Sequence, residues 1–141
     1  ILKIRSGLKG VRFPNNKARF IMEARSLFNG PGGFSIKKYI DTKNIPATRL
    51  WLVKHVKGIG FKEAGHFLRN IGFGKDIAIL DVHILRNMME YDVIKSSPKT
   101  LTPRVYMDLE AKLSGFSEKV GIPMDELDLL FWSKNTGHIF K

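Results

Sequence analysis

The chain has 141 residues, with 24 Lys+Arg against 13 Asp+Glu and a formal net charge of +11. That length fits one ordinary domain with a core large enough to fold without staples, and the positive excess points to a polyanionic partner, most simply nucleic acid. The absence of cysteine excludes a disulfide framework, thiolate-bound zinc, a cysteine nucleophile and an iron–sulfur cluster. No apolar run approaches the roughly 18–20 residues that span a bilayer, and no signal-peptide pattern opens the chain. It begins at Ile1 rather than Met, so an N-terminal portion is expected to be missing.

The spacing of apolar residues reads as helices joined by short loops. Asn15 and Asn16, before Ala18, Ile21, Met22 and Leu27, predict a capped helix over about 15–29. The run Asn29-Gly30-Pro31-Gly32-Gly33 is a breaker. Ser35 is expected to cap a short helix carrying Ile36, Tyr39 and Ile40, and residues 48–56 to form another that buries Leu50, Leu52, Val53 and Val56. Gly58 and Gly60 bracket a turn, after which residues 61–71 place Ala64, Phe67, Leu68 and Ile71 on one face. Gly72 and Gly74 end that helix.

Ala78-Ile79-Leu80 is a short apolar run leading to Asp81, a good helix cap, and Val82, Leu85, Met88 and Met89 continue with helical spacing. Thr102-Pro103 starts a long amphipathic helix through Val105, Leu109, Leu113, Phe116 and Val120, closed near Gly121. A last helix over 124–132 is expected to turn Leu127, Leu130 and Phe131 inward, with Asp125, Glu126 and Asp128 as favourable charge at its N-terminus. The expected architecture is all-α, a compact bundle of short helices in a single domain over 1–141.

The chemistry concentrates in Val56-Lys57-Gly58-Ile59-Gly60-Phe61-Lys62. Two glycines around one apolar residue make a tight turn between helices. The first amides of the second helix are unpaired and carry partial positive charge, which suits a phosphate oxygen. Ile59 is placed to pin the two helices together, and Ala64 to let them cross closely. Lys62, at the start of the second helix, is a candidate nucleophile once its amine is neutral. Asp81 follows nineteen residues later at the head of the next helix, where an ionised carboxylate can face a developing cation. The pair suits attack at a sugar anomeric carbon as the base departs.

The run Gly58-Ile59-Gly60-Phe61-Lys62 with Leu80-Asp81-Val82-His83 resembles the helix-hairpin-helix DNA glycosylase superfamily. The tail, Phe131-Trp132-Ser133-Lys134 with Thr136-Gly137-His138-Ile139-Phe140-Lys141, resembles the archaeal-type 8-oxoguanine DNA glycosylases within it. The likeness runs from about Val11 onward, with the hairpin over about 50–72. It implies the helix-hairpin-helix glycosylase fold and a base excision repair glycosylase with abasic-site lyase activity. In such enzymes the lysine forms a Schiff base and β-elimination follows.

The resemblance implies Lys62 as nucleophile and Asp81 as its positioning and cation-stabilising partner. Gly58, Gly60 and His83 are implied as backbone contacts and Arg19 as facing the estranged base; a solvated helix-surface charge is the alternative for Arg19. Trp132, Phe140 and Lys141 are implied in the base pocket, with Phe131 a weaker stacking candidate. No cofactor is required, the motif implies a monovalent cation at the hairpin, and no metal-ligand cluster is visible. The expected partner is double-stranded DNA bearing 8-oxoguanine or abasic sites, met by a monomer inside the cell. The competing readings are a glycosylase for another oxidised base and a non-catalytic helix-hairpin-helix DNA-binding module. That module has no use for Lys62 and Asp81 at this separation.

Overall fold

The computed structural model describes residues 2–138. Among them are seven α-helices, one 3-10 turn and one minimal pair of strands. They divide into two compact units that meet in sequence between Gly60 and Phe61. No described helix is long and apolar enough to cross a membrane.

The first unit opens with α1 (Leu2–Gly7), which the sequence pattern did not signal, and α2 (Pro14–Phe28). Pro14 pre-sets the backbone at the first helical position. The breaker folds back on itself, so that β1 (Asn29–Gly30) pairs antiparallel with β2 (Gly33–Phe34), Asn29 opposite Phe34. Ser35 does not cap a helix; its backbone N–H donates to Phe28 O at 2.9 Å, and only a 3-10 turn, Lys37–Tyr39, follows.

Helix α3 (Ile45–His55) starts earlier than its apolar spacing suggests, because the Asn44 side chain accepts from Ala47 N at 3.1 Å and caps it. Its buried positions are Thr48, Arg49 and Leu52, so Leu50, expected inside, is exposed. The rings of Tyr39 and Trp51 stack at 4.6 Å, and Trp51 and His55 stack at the same distance. Tyr39 also donates its hydroxyl to Leu27 O at 3.2 Å, which ties the 3-10 turn to the end of α2.

The second unit contains α4 (Phe61–Asn70), α5 (Val82–Glu90), α6 (Pro103–Val120) and α7 (Met124–Thr136). Helix α4 buries Phe61, Ala64, Gly65 and Leu68, a stripe at helical spacing. Ile71 lies beyond the last helical residue and is exposed. Helix α5 turns Ile84, Leu85, Asn87 and Met88 inward, while Val82, directly after the cap, faces solvent. Helix α6 follows its pattern: Thr102 Oγ1 accepts from Val105 N at 3.3 Å, and the chain leaves at Gly121. Its last residue, Val120, is exposed.

Helix α7 runs a full turn past Trp132 and buries Met124, Leu127, Asp128 and Phe131. This face excludes Leu130, which is exposed. It also corrects the reading of Asp128 as a favourable charge at the helix N-terminus. Only Asp125 and Glu126 lie in the first turn; Asp128 is buried and forms an ion pair with Arg69 of α4.

That ion pair ties the last helix to the first of this unit. Removing one partner of a buried pair strands the other charge, at a cost of about 3–5 kcal/mol. Asp128→Ala is therefore expected to lower the unfolding free energy from a urea titration by about that amount, with a lower midpoint. An unchanged midpoint would show that the pair does not hold α4 and α7 together.

Candidate functional site

The second unit places its chemistry around a buried stretch without regular structure. Ile77, Ala78, Ile79 and Leu80 are all buried, yet they belong to no helix or strand. Their backbone groups need partners from elsewhere, since a buried unpaired amide or carbonyl is costly. Helix α6 supplies partners for three of them. Tyr106 donates its hydroxyl to Ala78 O at 2.8 Å and accepts from Leu80 N at 3.0 Å. Glu110, one turn on, accepts from Ala78 N at 2.7 Å.

The stretch delivers Asp81 as the N-cap of α5. One carboxylate oxygen, Oδ1, accepts from His83 N at 2.9 Å and from Ile84 N at 3.0 Å. The cap therefore fixes the orientation of the carboxylate, as the sequence predicts for a helix cap.

Lys62 lies in the first turn of α4. Its Nζ is 3.6 Å from Glu63 Oε1, and both side chains are about half exposed, at 43% and 51%. A solvated pair of this kind is worth about 0–1 kcal/mol, so the amine is readily released. One helical turn later on the same face is Gly65. A Cβ there would stand 3.3 Å from Ala78 O and 3.4 Å from Ile79 Cγ1. Glycine is what lets α4 approach the stretch that ends in Asp81. Phe61, next to Lys62, packs its ring 5.1 Å from that of Tyr106. One tyrosine thus touches both the neighbour of Lys62 and the run leading to Asp81.

His83 is half-buried on α5, and its Nδ1 is buried with no partner in the protein. Trp132 is half-buried on α7, its ring 6.4 Å from that of His138. Phe131 is unavailable for stacking on a base: it is buried, and its ring stacks on Tyr91 at 5.4 Å. Phe140 and Lys141 lie outside the described residues. Lys134 of α7 donates to Glu90 and, at 3.1 Å, to Tyr91 Oη at the end of α5. The hydrogen bond to Glu90, followed by that to Tyr91, raises the Lys134 pKa above the ordinary 10.5. This contact is fully present below that value and is lost as pH rises through the raised one.

The first unit holds the remaining expected residues. The turn after α3 has Gly58 at φ 83°, and a Cβ there would stand 2.4 Å from the Phe20 ring. Both facts exclude larger residues. Ile59 N donates to Val56 O at 3.3 Å and closes the turn. Gly60 is half-buried at its end. Arg19 is a surface residue of α2, 3.7 Å from Glu23 and stacked over Phe20 at 5.4 Å. Among the described residues no group of His, Asp or Glu side chains forms a metal site.

Tyr106, Glu110 and Gly65 were not singled out from the sequence. Tyr106 carried a signal, because with Leu109 and Leu113 it completes an i, i+3, i+7 stripe. Glu110 carried none, since a carboxylate on an amphipathic helix reads as solvated. Tyr106→Phe removes the hydroxyl that serves two buried backbone groups. We expect a loss of about 1–3 kcal/mol in thermal or chemical unfolding. A variant as stable as the parent would show that the 77–80 stretch is held by other means.

A family model described as 8-oxoguanine DNA glycosylase matches residues 2–122. The match therefore begins earlier than the Val11 expected from the motifs. Similar proteins include the 8-oxoguanine DNA glycosylase/AP lyase of Fusobacterium nucleatum, 49% identical over 132 residues, covering 93% of this chain and 61% of that protein. The Korarchaeum cryptofilum protein of the same name is 43% identical, with coverage of 94% and 61%. The chain spans about six-tenths of the length of these relatives. Among solved structures, the Methanocaldococcus jannaschii 8-oxoguanine glycosylase/lyase, in complex with a 15mer DNA containing 8-oxoguanine, matches with a TM-score of 0.85 and 39% identity. That match covers 99% of this chain and 66% of the solved one.

Proposed function

The chain belongs to the 8-oxoguanine DNA glycosylase family, and from that premise we propose that it excises 8-oxoguanine from duplex DNA and cleaves the resulting abasic strand as a lyase. The observation that carries this reading is the packing on Tyr106, which serves both the helix start bearing Lys62 and the stretch ending in Asp81. The solved relative bound to DNA containing 8-oxoguanine supports the substrate.

In this reading the neutral Lys62 amine attacks C1′ of the damaged nucleotide. A C1′–N bond forms, the bond to the base breaks, and the base leaves with the electron pair and takes up a proton. Asp81, oriented by two amides, stabilises the cationic sugar as the base departs and the iminium that follows ring opening. The iminium acidifies C2′. Loss of that proton expels the 3′ phosphate oxygen and cuts the strand on its 3′ side. Glu63 beside Lys62 is a solvated partner that the amine gives up.

The remaining residues position the DNA. Amides of the turn at Gly58 and Gly60 bind a backbone phosphate, and His83 donates to another. Carbonyl oxygens of the hairpin turn would hold a monovalent cation, a hard-oxygen donor set without carboxylates, and the ion would supply positive charge beside the phosphate. Arg19 faces the estranged base. Trp132 stacks on the flipped base, with Phe140 and Lys141 completing the pocket. A DNA substrate places the work of the protein inside the cell.

Borohydride trapping on a duplex with a single 8-oxoguanine tests the chemistry. The parent chain should yield a covalent adduct and Lys62→Gln none, with DNA binding largely kept. Asp81→Asn should slow excision by about 10²–10³-fold, the range for losing one electrostatic stabiliser. No adduct from the parent on this duplex, together with an adduct on another oxidised base, would move the reading to that lesion. No adduct on any lesion would leave a DNA-binding module. Separately, log affinity for the duplex should fall linearly with log salt, with a slope of about −0.9 per phosphate neutralised. A flat salt response would show that the +11 charge does not grip the backbone.

A further inference from the structure

Asn87 lies in the middle of α5 and is completely buried. Its Nδ2 group donates to His83 O on its own helix at 2.9 Å and to Phe131 O on α7 at 3.2 Å. Its Oδ1 is buried with no partner, as is Nδ1 of His83 one turn earlier. Asparagine is a weak helix former, and a buried carbonyl oxygen without a donor is itself destabilising. A leucine of similar size would carry neither cost. What the carboxamide supplies instead is a link between two helices. It joins the end of α5 that carries Asp81 and His83 to the carbonyl immediately before Trp132.

We propose that Asn87 is a positioning residue for base excision, holding the Phe131–Trp132 segment of α7 in register with the Asp81 end of α5. The inference rests on the glycosylase reading above and deepens it. The register matters for the step that must grip a base. It does not matter for Lys62 acting on a sugar whose base is already gone. Phe131 O also accepts from Asn135 Nδ2 at 3.0 Å, so losing the Asn87 bond does not orphan it. The link can therefore be cut without dismantling the fold.

The test compares the parent with Asn87→Leu on two duplexes, one with 8-oxoguanine and one with a preformed abasic site. Single-turnover base release from the first should fall on the order of 10–100-fold, the effect of misplacing a reacting partner by about an ångström. Strand cleavage and borohydride trapping on the abasic duplex should stay within about twofold, since the Lys62 step is untouched. Asn87→Ala serves as a second variant, with thermal unfolding measured for both. Added to Trp132→Ala, the Asn87 change should give little further loss of base release, because the two act through one contact.

Parallel loss of both activities, unchanged base release, or multiplying effects with Trp132→Ala would each overturn the proposal. Failure of both Asn87 variants to fold would make the bridge structural and also overturn it. A parent chain inert on both duplexes would overturn the glycosylase reading itself. A parent active on both and matched by Asn87→Leu would overturn the positioning role alone.

Discussion

The hydroxyl of Tyr106 holds together a part of the molecule that has no secondary structure of its own. Residues 77–80 are buried but irregular, so their amides and carbonyls lack the ladder that a helix or sheet provides. One oxygen donates to Ala78 O and accepts from Leu80 N, and Glu110 accepts from the amide of Ala78. The same aromatic ring lies against Phe61 at the start of α4. A lysine and an aspartate nineteen residues apart in sequence are thereby organised by a third element, α6. A buried irregular run is a demanding way to place a carboxylate. It fixes direction well, because its exit into α5 is also a capped helix start.

The helices of this unit are tied to one another by polar contacts at low exposure as well as by apolar packing. Arg69 and Asp128 join α4 to α7, and Asn87 joins α5 to α7. Lys134 adds an exposed tie at the far end of α5. Such contacts contribute modestly to stability against their desolvation cost, but they admit one register only. A site assembled from different helices benefits from that geometric definition.

Helix existence was largely legible from the sequence, because apolar spacing and caps are local properties. Thr102-Pro103, Gly121 and Asp81 mark their boundaries as expected. Where boundaries moved, a local signal had been outweighed by the apolar pattern: Asn44 with Pro46 starts α3 before the first apolar stripe. Facing was less legible. Leu50, Val82 and Leu130 are apolar residues at plausible positions, yet each is exposed. A rotation of one residue about a helix axis moves a side chain by about 100°, and only the neighbouring elements decide the phase.

The sequence by itself marks the candidate site residues. The glycine turn, Lys62 at a helix start, Asp81 at a helix cap and an excess of positive charge are all readable from residue type and spacing. They are readable because turns, caps and net charge depend on few neighbours. Tertiary structure alone decided which side chains hold those residues in place. Tyr106, Glu110, Gly65, Asn87 and the Arg69–Asp128 pair act across separations of about ten to sixty residues, through hydrogen bonds and close approaches with no local signature. It also moved Asp128 from the charged end of a helix to a buried ion pair, and of the two expectations for Phe131 it kept the core one. Burial and partners belong to the packed molecule and not to the residue.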